Sequence, residues 1–295
     1  MTGSRRTLLK NASQIGAMAP FITLAGLMQR AEARDVSDAR FGSTAEEAAA
    51  VTERAHKKLI DHPGITMFGS EEVAMVVYPS MTMLDMVGPQ YFFGSMMGAK
   101  VHLVTRDPKL SPIMGDTGFA IVPTISMDDC PKDLDVLFIP GGSQGTVQAM
   151  LDDKTVSFVA DRGKRSKHVT SVCTGSMLLG QAGLLHGKKA TSHWSSRHLL
   201  AEFGATPVNA RVVQDGNVTT GAGVSAGLDF ALALLAQLRG KDYAKGVQLQ
   251  AEYAPEPMFN AGTLETIDPS IGEPMHEIFA RSIFAMKQAA KQRRT

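Results

Sequence analysis

Val169-Thr170-Ser171-Val172-Cys173-Thr174-Gly175-Ser176-Met177-Leu178-Leu179-Gly180 is the stretch that decides the fold. A β-branched run ends on a cysteine, a small residue and a glycine follow, and an amphipathic helix begins. This is the sequence form of a nucleophile elbow, a tight strand-to-helix turn that lifts one side chain above a sheet. A cysteine there sits at the positive end of a helix, which favours thiolate over thiol. The competing reading is a small buried cysteine that only packs.

Working outward, strands are expected over 73–79, 100–105, 134–139 and 189–192, with two short β segments in 111–126 around Gly115-Asp116-Thr117-Gly118. A hairpin is expected over 210–220, turning at Asp215-Gly216-Asn217. Helical spacing marks 44–59, 84–97, 155–165, 196–203, 225–238 and 242–252, and a last basic helix over 274–293. Alternating strands and helices imply an α/β fold, a mostly parallel sheet sandwiched by helices. Ligands in such folds bind beyond the carboxyl ends of the strands, the edge shared by Cys173, Gly141-Gly142 and the loop after Tyr78.

The N-terminus carries Ser4-Arg5-Arg6-Thr7-Leu8-Leu9-Lys10, a modest apolar stretch over 15–28, and Ala31-Glu32-Ala33. This pattern matches a twin-arginine export signal over 1–33, with a small-x-small cleavage site. The expected location is therefore periplasmic or extracellular, with the export machinery as a transient partner. The apolar run contains Pro20 and is too short for a stable membrane anchor. Loss of residues 1–33 removes the cations Arg5, Arg6, Lys10 and Arg30 and the acid Glu32, changing the formal charge from +1 to −2. A nearly neutral chain argues against nucleic acid as a partner. The remaining segments are expected to be an N-terminal helical extension over 34–70, a main domain over 71–262 and a tail over 263–295.

The two cysteines, Cys130 and Cys173, precede and end neighbouring strands. If those strands are parallel, the sulfurs lie a strand length apart, roughly 15–20 Å, beyond disulfide reach. His186, His193 and His198 lack metal-pair spacing, and there is no cysteine pair for zinc. Gly141, Gly142 and Gly145 do not make a dinucleotide fingerprint, and Gly183 to Lys189 is not a phosphate loop. Neither metal nor organic cofactor is expected.

Three further elements attend the cysteine. Pro140-Gly141-Gly142 is either a plain turn or a source of backbone N–H groups, near Gly142 and Thr174, for developing negative charge. Asp85, in the apolar Met83-Leu84-Asp85-Met86-Val87, is either a helix cap or a desolvated proton carrier. His193 and Trp194 end the following strand and are candidates for a substrate pocket with Gly141, although a lone strand-end histidine is more often structural.

Together these residues resemble the ThiJ/PfpI superfamily, whose flavodoxin-like sheet and cysteine elbow are similar to those of class I glutamine amidotransferases. Within it the chain looks most like the isonitrile hydratase branch. The resemblance rests on Leu84-Asp85-Met86-Val87-Gly88-Pro89, Asp129-Cys130-Pro131, Ile139-Pro140-Gly141-Gly142 and the elbow itself. It continues through Ala182-Gly183-Leu184-Leu185, Ala190-Thr191-Ser192-His193-Trp194, Val247 to Pro255 and Phe259-Asn260-Ala261-Gly262. Protease-like and glyoxalase-like members usually carry His directly after the cysteine, and many carry Glu near the first strand. Thr174 and Asp85 stand here instead, which points away from peptidase, deglycase and glyoxalase chemistry.

The resemblance implies hydration of a small isonitrile, with Cys173 as nucleophile, Asp85 as proton carrier and Thr174 setting their protonation. It also implies a homodimer and a small-molecule substrate. The alternatives are a non-catalytic sensor with an oxidisable Cys173, and a glyoxalase or hydrolase of the same superfamily. The domain also occurs in AraC-type regulators, but no helix-turn-helix region of adequate length follows Gly262.

Overall fold

The computed structural model describes residues 40–292. The expected signal over 1–33 lies outside the described residues. The chain divides into a short unit ending at Lys57 and a main unit from Lys58 onward. Helix α1 (Ala45–Ile60) starts in the first unit and ends just past its boundary; it begins with a reciprocal cap, in which Thr44 Oγ1 accepts the Glu47 N–H and the Glu47 carboxylate accepts the Ser43 N–H.

In the main unit, β1 (Glu72–Val76) leads to α2 (Met83–Gly94) and β2 (Lys100–Thr105). Short strands follow, β3 (Ile113–Met114), β4 (Ala120–Ile121) and β5 (Ile125–Ser126), then β6 (Leu134–Ile139), α3 (Ser143–Leu151), α4 (Asp153–Arg165) and β7 (Ser166–Val172). The elbow opens α5 (Gly175–Gln181). Then come β8 (Lys189–Ala190), a 3-10 helix (Arg197–Phe203), β9 (Thr206–Pro207), and the hairpin of β10 (Val212–Asp215) and β11 (Val218–Gly221). The chain ends with α6 (Ala226–Arg239), α7 (Lys241–Gln250), α8 (Pro269–Glu277) and α9 (Ala280–Gln292).

The seven-stranded sheet has the order β10-β11-β7-β6-β1-β2-β5. Every pairing in it is parallel except β10 with β11. Helices α2, α6 and α7 pack on one another over one face, and α3, α4, α5, α9 and the 3-10 helix over the other. Coverage on both sides explains why central strands read as unbroken apolar runs. Val73 to Val76 and Val136 to Ile139 are fully buried. Phe138 and Phe230 stack at 5.8 Å across the sheet–helix boundary, and Phe93 meets both edge-on.

Arg239, fully buried at the end of α6, forks onto Glu71 through Nε at 2.7 Å and Nη2 at 2.5 Å. It also donates to the carbonyls of Met67 and Met97. This pair ties the chain entering β1 to the core.

Three elements differ from expectation. Helix α3 is not announced by its sequence, because Gly145, Thr146 and Val147 are weak helix formers. Gly145 is required by tertiary packing: a Cβ there would lie 2.5 Å from the Pro79 carbonyl. The strand expected over 189–192 shortens to β8 and pairs with β9 outside the main sheet. The helix expected over 274–293 is two helices, broken between Glu277 and Ala280, with Pro274 inside the first. Both cysteines are free, and the parallel β6–β7 pairing puts them at opposite ends of the sheet. Among the described residues no helix is long and apolar enough to cross a membrane.

Candidate active site around Cys173

Cys173 adopts φ = 58°, the left-handed region that a residue with a Cβ occupies only under constraint. The constraint is visible. Its N–H donates to the Gly221 carbonyl at 3.0 Å, and its carbonyl accepts from Ser192 Oγ at 3.0 Å and Ser176 Oγ at 3.1 Å. The turn also needs room. Gly223 (φ = 104°) approaches so closely that an added Cβ would lie 2.7 Å from Cys173 Cβ and 3.0 Å from Sγ. Gly223 was not among the residues singled out from sequence, and nothing in Gly221-Ala222-Gly223 alone distinguishes it from a loop glycine.

Asp85 lies in the first turn of α2 and is fully buried. It is not the cap: Thr82 holds the cap position, and Asp116 Oδ1 accepts the Met83 N–H at 3.2 Å from outside the helix. Asp85 Oδ2 accepts the Gly141 N–H at 3.1 Å. Oδ1 has no conventional hydrogen-bond donor among the described residues. A Cβ at Gly141 would sit 2.7 Å from both Asp85 Oδ2 and Cys173 Cβ, so carboxyl and cysteine face each other across a glycine that must be bare. Burial raises the Asp85 pKa to about 7, against the opposing effects of Cys173 and the Gly141 N–H.

The thiol departs from the thiolate expectation. Burial and the Asp85 charge push Cys173 well above its ordinary value, and the Thr174 N–H and hydroxyl only partly offset this. The helix end is outweighed because the sulfur is almost wholly removed from water. The resting cysteine is a neutral thiol beside a carboxyl that exchanges its proton near neutrality.

Thr174 Oγ1 accepts the Gly142 N–H at 2.9 Å and lies 2.8 Å from Thr146 Oγ1. Thr146 in turn lies 3.3 Å from the Tyr78 hydroxyl, which donates to the Pro140 carbonyl. The Gly142 N–H is therefore committed to Thr174 and does not stand open toward an electrophile. The Thr174 hydroxyl, expected to hydrogen-bond Cys173 or Asp85, pairs with Thr146 and Cys173 and not with Asp85.

A cavity of about 220 Å³ opens on Cys173 and Thr174. His193 lines it; Gly141 and Trp194 do not. Gly141 is packed between Asp85 and Cys173, and Trp194 lies against His193, meeting Phe279 edge-on and His276 at a tilt. Burial and the Arg197 charge lower the His193 pKa to about 4, so it is a neutral imidazole, with Nδ1 2.8 Å from Ser195 Oγ. Part of the wall comes from a segment expected to be a tail: Phe279, Ser282, Ile283 and Met286. The signal that could have found them is their spacing, i, i+3, i+4 and i+7, with Phe279 in the turn just before the last helix and the other three on one face of it. Among the described residues no cluster of three or more His, Cys, Asp or Glu is placed to hold a metal.

Comparison with known proteins is consistent with this geometry. Residues 71–237 match the model of the DJ-1/PfpI family. The chain is 43% identical over 212 residues to an isonitrile hydratase from Pseudomonas putida, covering 72% of this chain and 91% of that protein. It is 33% identical over 140 residues to the protein DJ-1alpha of Drosophila melanogaster, covering 46% of this chain and 64% of that protein. Among solved structures, a ThiJ/PfpI family protein from Pseudomonas syringae superposes with a TM-score of 0.76 at 51% identity, covering 78% of this chain and 94% of that one. The elbow, the parallel sheet and the length of these matches lead to one conclusion: the chain belongs to the DJ-1/PfpI family.

Proposed function

We propose that this protein is an enzyme that hydrates a small isonitrile to an N-substituted formamide through a thioimidate on Cys173. The observation that carries the reading is the buried Asp85–Cys173 pair, one carboxyl titrating near 7 against one neutral thiol. Such a pair can move one proton without help from solvent. The similarity to a Pseudomonas putida isonitrile hydratase supports the same substrate class.

Asp85 takes the thiol proton as the sulfur attacks the terminal isonitrile carbon, then delivers that proton to the carbon. A carbon–sulfur bond forms and the thioimidate results. Water then adds to the same carbon; the Asp85 carboxylate accepts its proton and passes it to nitrogen. Collapse of the tetrahedral adduct breaks the carbon–sulfur bond, the hydroxyl proton passes through Asp85 to the departing sulfur, and the formamide leaves with thiol and carboxylate restored. No electrons are exchanged with an outside acceptor. The Thr174 N–H faces the sulfur and supports its developing charge.

Sensing by reversible oxidation is less well supported, since burial holds the sulfur as a thiol and the thiolate is the form that attacks peroxide. The test is formamide production from an aryl isonitrile by the protein and by Cys173→Ala. Turnover in the wild type and none in the variant is expected; equal rates would sink the covalent route. Export through the twin-arginine pathway and a homodimeric state belong to the same proposal. Cell fractionation of an Arg5→Lys, Arg6→Lys variant and sedimentation of the purified protein test them.

A further inference from the structure

We infer that one face of α9, together with Phe279 in the turn just before it, is the wall that limits the size of the substrate's side group, with Phe279, Ile283 and Met286 as specificity-determining residues. The inference rests on Cys173 being the reacting atom of the proposal above. It concerns residues beyond 71–237, the part matched by the family model.

Phe279, Ser282, Ile283 and Met286 follow helical spacing and line the cavity that opens on Cys173. The same stripe continues into Ala289 and Ala290, which are buried in the core, so one apolar face serves both site and packing. The opposite face is solvent-facing: Phe284 is exposed. The wall is held in place. Helix α9 packs on α3 and on the 3-10 helix, Gln181 Nε2 donates to the Ala289 carbonyl at 3.2 Å, and the Phe279 ring lies 5.1 Å from His193 and 5.6 Å from Trp194.

The lining is mixed. Hydroxyls and Asp116 line part of the cavity, while the α9 side is apolar apart from Ser282. Among the described residues that line it there is no lysine or arginine, and His193 is neutral, so nothing offsets the charge of an anionic substrate. The volume is about 220 Å³. An apolar cavity of about 150 Å³ accepts benzene. The site therefore takes an uncharged electrophile whose side group is about one six-membered ring, and a fused bicycle meets α9.

The test uses two probes on the full protein. One is a series of aryl isonitriles from phenyl to naphthyl. The other is alkylation of Cys173 by N-methylmaleimide against N-(1-naphthyl)maleimide, each rate normalised to a free thiol, which reports access whether or not isonitriles are substrates. Ile283→Ala is expected to raise the bulky-to-small rate ratio by about tenfold, the usual discrimination of a small change in pocket volume. Ser282→Leu is expected to lower it by a similar factor, and Phe284→Ala, on the exposed face, to leave it unchanged. Alkylation by N-methylmaleimide verifies that the site is intact in each variant. A maleimide ratio that moves as stated supports the wall even if no isonitrile is hydrated, and only the hydratase reading then fails. A ratio that stays constant in both Ile283→Ala and Ser282→Leu overturns the wall, even with full hydratase activity.

Discussion

Two carboxylates are withdrawn from water near β1, Glu71 just before the strand and Asp85 in the helix after it, and their surroundings are opposite. Glu71 meets Arg239 through two short hydrogen bonds. Asp85 meets one backbone N–H and a thiol, with Oδ1 lacking a conventional donor. The first carboxylate has its charge balanced and holds two segments together. The second is left short of partners, so its proton is easily gained and lost near pH 7. Full pairing builds structure, and incomplete pairing leaves a group available for chemistry.

The largest effect is expected at the sulfur. Cys173→Ala should reduce formamide formation to the uncatalysed rate while leaving the circular dichroism spectrum unchanged. Asp85→Asn should lower turnover by about 10² to 10⁴-fold, the usual range for a lost acid–base group. The same variant should gain stability where the wild type must ionise a buried acid. The Asp85 pKa is raised from 3.8 to about 7 in the fold. The native state therefore holds a proton that the unfolded state has lost over that interval, and wild-type stability falls as pH rises through it. Urea melts at pH 4 and pH 8 should show the advantage of Asp85→Asn growing between them and level above about 7.

Glu71→Ala sharpens the contrast from the other side. Leaving Arg239 buried without its partner should cost about 3–5 kcal/mol of stability. In the surviving folded protein, Cys173 alkylation by a small reagent should proceed at the wild-type rate. A similar loss of thiol reactivity in Glu71→Ala would break the division between the two carboxylates. The pH profile comes next. Since an ionised Asp85 must accept the thiol proton, kcat/KM should rise about tenfold per unit below pH 7 and flatten above it. The smallest effect belongs to Thr174→Val, which removes one hydroxyl from the Tyr78–Thr146–Thr174 chain. A lost hydrogen bond of about 0.5–1.5 kcal/mol corresponds to roughly 2–13-fold in kcat.

Much of this was legible in the chain. The elbow announces itself because strand, cysteine, small residue and glycine are contiguous, and contiguity is what a sequence displays. Asp85 stands out for the same reason, as an acid set among Met83, Leu84, Met86 and Val87. Its role could not be chosen from sequence, because capping and catalysis place the same residue at the same helix end; the Asp116 contact to the Met83 N–H removes only the capping reading. The thiol's protonation was misread because the helix end is local while desolvation is set by the whole fold. Helix α3 escaped notice because tertiary packing overrides the poor propensity of Gly145, Thr146 and Val147. The α9 wall was hidden behind its basic residues: its apolar stripe was present, but nothing local says that it closes over a sulfur more than a hundred residues earlier.

The covalent step is the centre of the account. It is tested most directly by acid-quenching the protein during turnover of an aryl isonitrile and measuring the mass of the peptide that contains Cys173. A mass increase equal to one isonitrile is expected, absent in Cys173→Ala and decaying as formamide appears. Formamide formed at full rate with no adduct at any time, and undiminished in Cys173→Ala, would contradict it.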